Sequence, residues 1–210
     1  MIAAGAGMTG FGDFPMKHIG RKLYHLIGGL GLLSVYYLLG RNQALVFYAT
    51  LFIMVLALDG ARLLVPAWNR FVFTHLRSFV RENEGHKLTG TPSYVLGIGL
   101  SLYAYAPEIA TAAICFLAVG DVAATTVGER YGKTKINDKS LEGTIAFAFA
   151  AFIAGFMLFF VGVHLPTWLI IVGSLVAAGV ELLPLMVNDN LSIPIVSGAV
   201  MELALRWVGR

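Results

Sequence analysis

The chain has 210 residues, of which 58% are hydrophobic and only 13% charged, with a mean hydropathy of +0.77. Soluble domains carry roughly 25% charged residues, so this composition excludes an ordinary cytosolic enzyme, a disordered chain and a coiled coil. An integral membrane protein remains. The one cysteine, Cys115, excludes an internal disulfide and any cysteine-built metal cage.

A membrane-spanning helix needs roughly 20 residues. Apolar runs at Leu23–Leu39, Ala44–Leu64, Tyr94–Tyr105, Glu108–Val127, Thr144–Val163, Trp168–Val187 and Leu191–Trp207 give about seven candidates, the third beginning as early as Thr91. The runs are continuous, which excludes a β-barrel. Gly40-Arg41-Asn42, Ala106-Pro107, His164-Leu165-Pro166 and Asn188-Asp189-Asn190 punctuate them. The expected fold is an all-α polytopic bundle forming a single membrane-embedded catalytic domain over residues 1–210. Met1–Met16 is read as an ordinary, mobile N-terminal segment. In Pro66–Lys87, Trp68, Phe71, Val72, Leu76, Phe79 and Val80 recur at helical spacing, and Arg70, Arg77, Arg81 and Glu82 occupy the rest of the wheel. This predicts an amphipathic helix on the cytoplasmic surface, acting as a connector or as a lid.

With seven spans, twelve of the fifteen Lys and Arg residues fall on one side: Lys17, Arg21, Lys22, Arg62, Arg70, Arg77, Arg81, Lys87, Arg130, Lys133, Lys135 and Lys139. Arg41, Arg206 and Arg210 fall on the other. The positive-inside rule then puts the N-terminus in the cytoplasm and the C-terminus on the opposite side.

Ionisable residues in or beside spans are functional candidates by default. Asp59 and Arg62, Asp121, Glu181, Asp189, the trio Arg21, Lys22 and His25, and the trio Lys139, Ser140 and Glu142 all fall near the cytoplasmic boundary. Only Glu108 and Glu202 lie toward the other side. A conduit would distribute such groups through the membrane depth. A cluster at one surface suits a reaction between a water-soluble substrate and a lipid. Carboxylates suit Mg²⁺, and Lys and Arg suit phosphate. Each part also has a plain structural role open to it. Gly128 and Gly132 suit helix termination, Ser140 suits an N-cap, and Lys133, Lys135 and Lys139 suit topology. Gly132-Lys133-Thr134 is no P-loop, because Val127 stands where that motif needs glycine. His18, His75, His86 and His164 have no metal-ligand spacing and read as interfacial.

The sequence resembles the membrane family that contains dolichol kinase, phytol kinase and the CTP-dependent diacylglycerol kinase of yeast. The resemblance rests on Arg21-Lys22-x-x-His25, Asp59-x-x-Arg62, Arg81-x-x-Glu84, Gly120-Asp121-x-x-Ala124, Gly128-x-x-x-Gly132, Lys139-Ser140-x-Glu142-Gly143, Glu181 and Asn188-Asp189-Asn190-x-x-Ile193-Pro194. It implies transfer of the terminal phosphate of CTP, or another nucleoside triphosphate, to the hydroxyl of a polyprenol, phytol-like alcohol or diacylglycerol. With it go these expectations. Asp121, Lys139 and Glu142 are catalytic. Asp121 and Asp189 bind Mg²⁺. Arg21, Lys22, Lys133, Lys139, Ser140 and Asn190 hold the nucleotide. Glu142 binds metal or orients Lys139. Asp59, Glu181, Arg62 and His25 stay open between a base for the hydroxyl and structural ion pairing. The stretch from Asp121 to Gly143 also resembles CDP-diacylglycerol synthases, which leaves a lipid-phosphate cytidylyltransferase as the alternative. A non-enzymatic transporter has only Glu202 in its favour.

Overall fold

The computed structural model describes residues 19–76, 80 and 84–209; of residues 19 and 21 it describes the backbone alone. The N-terminal segment expected to be mobile, and the Arg77 and Arg81 positions, lie outside the described residues.

The described chain is helical apart from one small hairpin. Its elements are α1 (Ile19–Leu39), α2 (Arg41–Leu64), α3 (Pro66–His75), α4 (Gly90–Ala104), α5 (Pro107–Tyr131), β1 (Lys135–Ile136), β2 (Lys139–Ser140), α6 (Leu141–Met157) with a 3₁₀ turn at Leu158–Val161, α7 (Thr167–Leu182) and α8 (Asp189–Val208). The boundaries follow local chemistry. Pro66 and Pro107 open α3 and α5, where a missing N–H costs nothing. Thr89, Ser140 and Asn188 cap α4, α6 and α8, each side chain accepting a bond from a backbone N–H in the first turn. Gly40 and Gly162 turn the chain with φ of 77° and 86°.

Five helices, α1, α2, α5, α6 with its 3₁₀ turn, and α8, are long and apolar enough to cross a membrane. The other two expected spans are present as α4 and α7, but have 15 and 16 residues. Those lengths rise about 22–24 Å, short of a 30 Å hydrocarbon core. The surface helix is also shorter than the expected Pro66–Lys87. It stops at His75, and Glu84–Lys87 form a turn. In α3, the Trp68, Phe71 and His75 rings stack in a row at 5.5 and 4.4 Å while Val72 turns inward.

Helix α5 is the axis of the bundle, packing against α1, α4, α6, α7 and α8. Small residues let α6 approach it closely. A Cβ on Gly143 would stand 2.8 Å from the Ala124 carbonyl oxygen, and one on Gly120 would strike the Phe147 ring at 2.6 Å. Close approach through small residues is the usual device for packing helices in lipid, where water drives nothing together. Pro194 inside α8 has no N–H to give to the Asn190 carbonyl. Gly97 of α4 lies against that oxygen, where a Cβ would come within 2.4 Å.

Candidate active site

The sequence between α5 and α6 reads as a loop, but it folds into a hairpin. Lys135 pairs with Ser140 and Ile136 with Lys139. Asn137 takes φ of 55° in the turn, a conformation asparagine tolerates. The hairpin is secured at its base. Glu142 accepts from the Thr134 N–H with both oxygens, at 3.1 and 3.2 Å, and Ser140 Oγ accepts from the Gly143 N–H at 3.1 Å.

The hairpin delivers Lys139 to a cavity of about 710 Å³ at one end of the bundle. Its walls come from the C-terminal ends of α5 and α7, the N-terminal ends of α6 and α8, and the hairpin itself. The Lys139 ammonium lies 2.9 Å from Asp189 Oδ2 and 3.5 Å from Glu181 Oε1, and it donates to the Glu181 carbonyl. Glu181 is 7% exposed, and its Oε2 accepts from the Thr144 hydroxyl at 3.1 Å. Asp121 lines the same cavity. Behind it, His25 of α1 places Nδ1 3.9 Å from Asp121 Oδ2. The His25 ring packs on Tyr94, whose hydroxyl donates to the His25 carbonyl at 2.5 Å. Beside them Lys22 pairs with Glu129 at 2.9 Å, joining α1 to α5.

The structure therefore brings Asp121, Lys139, Ser140, Glu181 and Asp189 together around one cavity. Other expected residues are elsewhere. Glu142 is occupied with the Thr134 N–H and is not part of the lining. Lys133 is exposed and is not part of the lining. Asn190 donates from Nδ2 to the Gly90 carbonyl at 3.0 Å, fastening α8 to α4. The Arg21 side chain is outside the described residues.

Asp59 and Arg62 form a separate, buried clamp. Arg62 is 2% exposed and donates to Asp59 at 2.8 Å, to the Asn69 side chain at 2.8 Å, and to the carbonyls of Glu84 and Lys87 at 3.2 and 2.8 Å. The second Asp59 oxygen accepts from the Thr89 N–H at 2.6 Å. The bonds to Glu84, Lys87 and Thr89 hold the segment between α3 and α4 in place, which supports a structural role for the pair. Glu202 is equally engaged: it accepts from the Ala106 N–H at 3.2 Å and pairs with Arg206 at 3.1 Å, so it lends a transport path no support.

Four polar lining residues were not singled out as site residues from sequence: Thr125, Glu129, Lys135 and Asp138. Lys135 and Asp138 follow from the hairpin, and an Asn-Asp turn between two short pairing runs was its one visible signal. Thr125 follows from Asp121 at helical spacing. Among the described residues, no group of three or more His, Cys, Asp or Glu side chains is gathered to hold a metal ion.

Comparison with known proteins then bears on the chemistry. The CTP-dependent diacylglycerol kinase 1 of Saccharomyces cerevisiae is 28% identical, over 93% of this chain and 77% of that protein. The enzyme of the same name from Eremothecium gossypii is 33% identical, over 69% of this chain and 46% of that one. The chloroplastic farnesol kinase of Arabidopsis thaliana is 31% identical, over 89% of this chain and 65% of that one. These homologues support one family, the CTP-dependent lipid kinases. The chain spans less than two thirds of the Eremothecium and Arabidopsis proteins. No family model matches the chain, and no solved structure matches it. For a lipid kinase, a polar cavity at one end of an apolar bundle is the arrangement the reaction needs, since one substrate is soluble and the other is not.

Proposed function

We propose that this protein is a membrane lipid kinase that transfers the terminal phosphate of CTP to the hydroxyl of a lipid alcohol at the cytoplasmic face. The observation that carries the reading is the Lys139 ammonium in the end cavity beside Asp189, Glu181 and the start of α6. Lys139 and Lys135 would neutralise phosphate oxygens, and the Ser140-capped start of α6 adds a partial positive charge. The lipid oxygen bonds to the terminal phosphorus, the bridging P–O bond breaks, and CDP leaves. The hydroxyl proton passes to water or to the departing phosphate. Such a transfer depends mostly on positioning and charge neutralisation, so no strong base is required.

Two carboxylates, Asp121 and Asp189, line the cavity, and Mg²⁺ is commonly held by one or two carboxylates together with substrate phosphates. Bound there, Mg²⁺ would supply further neutralisation of the triphosphate. His25 supports Asp121 from behind. The twelve-to-three charge asymmetry supports a cytoplasmic cavity, a cytoplasmic N-terminus and seven crossings, with α4 and α7 as short spans.

The test is incubation of purified protein with Mg²⁺, CTP and a panel of polyprenols, phytol, farnesol and diacylglycerol, with a lipid phosphate such as phosphatidic acid in a parallel reaction. Lipid phosphate with CDP supports the kinase. A CDP-lipid with pyrophosphate, formed from lipid phosphate, overturns it in favour of a cytidylyltransferase.

A further inference from the structure

The two carboxylates that share the Lys139 ammonium sit in different surroundings. The Asp189 side chain is 28% exposed, whereas that of Glu181 is 9% exposed. Glu181 meets Lys139 twice, through its carboxylate and through its main-chain carbonyl. That carbonyl belongs to the last turn of α7. In a continuing helix it would take the Leu185 N–H, but Leu185 N–H bonds to the Leu183 carbonyl at 2.9 Å instead. Lys139 fills the place left open, at the helix end where a cation is favoured.

The Glu181 carboxylate is braced from behind. Its Oε1 faces Lys139, and its Oε2 accepts from Thr144 of α6 at 3.1 Å. Thr144 is buried and is not among the residues lining the cavity. Its hydroxyl also lies 3.2 Å from the Ser140 carbonyl, one turn back on the same helix. A threonine hydroxyl has one proton, and the charged acceptor forms the stronger bond. Thr125, which does line the cavity, shows the ordinary helical arrangement, donating back to the Asp121 carbonyl at 2.7 Å. Thr144 differs in having a carboxylate from another helix within reach.

Resting on the kinase reading, we infer that Thr144 and Glu181 are positioning residues that act through Lys139. Thr144 fixes the Glu181 carboxylate, and Glu181 seats the ammonium at the end of α7, inside the cavity where the triphosphate binds. Asp189 is also a proposed Mg²⁺ ligand, and turning to a metal takes it from Lys139. Glu181 then remains as the partner that keeps the ammonium in place.

The test is a double-mutant cycle on CTP binding in nanodiscs, with KM for CTP and for the lipid alcohol measured alongside. Thr144→Val keeps the shape and removes the donor. It should weaken CTP binding and raise KM for CTP about five- to tenfold, with KM for the lipid alcohol within about twofold of normal. Thr144→Ser restores the hydroxyl and should restore CTP affinity to within about threefold. In a Lys139→Ala background, Thr144→Val should change CTP affinity by less than about twofold. Thr144→Ala repeats the cycle if the valine variant does not fold. Normal CTP affinity in Thr144→Val overturns the inference. So does an equal rise in both KM values that serine does not reverse, which marks a merely structural role. Additive effects of Thr144→Val and Lys139→Ala in a protein that forms lipid phosphate overturn the positioning and leave the kinase standing. Non-additive effects on CTP binding in a protein that forms no lipid phosphate overturn the kinase and leave the positioning standing.

Discussion

Lys139 and Asp189 are 50 positions apart in the chain and 2.9 Å apart in space. Through that contact and its bonds to Glu181, one ammonium links the hairpin to the end of α7 and the start of α8. Removing it leaves two carboxylates at the cavity without their shared counter-charge.

Lys139→Ala should weaken CTP binding about tenfold or more and lower turnover further. Insertion should not change, because Arg130, Lys133 and Lys135 remain on the same side. Lys139→Arg should rescue only partly, since a planar fork replaces a compact ammonium. Nucleotide affinity and turnover in detergent are the measurements. Near-normal values for Lys139→Ala would return the residue to a topological role.

Asp121→Asn keeps shape and removes charge. Turnover should fall by about 10²-fold or more, with little change in melting temperature. Phe116→Ala, a fully buried packing change, should do the reverse: lower the melting temperature and leave the KM for CTP alone. Normal turnover of Asp121→Asn at saturating Mg²⁺ would make Asp121 structural.

Arg62→Ala should be destabilising by roughly 3–5 kcal/mol, because it strands the buried Asp59 carboxylate. Arg62→Lys should not restore stability, as an ammonium lacks the fork that reaches Asn69 and the Glu84 and Lys87 carbonyls together. Thermal unfolding in detergent reads both. A stable Arg62→Ala protein that has lost only turnover would move the pair into the chemistry.

Gly143→Ala should cost about 1–3 kcal/mol, since its new methyl meets the Ala124 carbonyl oxygen and α6 must shift from α5. Gly179→Ala, on α7 with open space around it, should be neutral or stabilising by up to about 1 kcal/mol. Equal melting temperatures for the two variants would contradict the close α5–α6 packing.

For topology, His86→Cys and Asp138→Cys should react with an impermeant maleimide from the same side of sealed vesicles. Both positions are exposed, and the native Cys115 is buried, so background labelling is low. Labelling from opposite sides would refute seven crossings.

Helix positions were legible because hydrophobic runs, prolines and caps are local signals, and all seven apolar runs became helices. Convergence of Asp121, Lys139, Glu181 and Asp189 was legible in outline, since alternating spans bring those ends to one side. What sequence obscured was competition for partners. Glu142, Asn190 and Asp59 carry the chemistry expected of a site, yet each is engaged by backbone N–H or carbonyl groups that only the fold places nearby. Helix termination suited Gly128, but its position in the packed face became visible only once Ser140 was found beside it; a Cβ there would be 2.9 Å from Ser140 Oγ.

The short hairpin has a mechanical consequence. It turns through two residues, and its root is tied by Glu142 and Ser140, so Lys139 has little travel apart from its own side-chain rotations. Across the cavity, residues 183–188 connect α7 to α8 without helix, and Leu183, Pro184 and Leu185 form that wall. On the proposed kinase reading, closure around a triphosphate would fall to the 183–188 wall, with the hairpin as the fixed jaw.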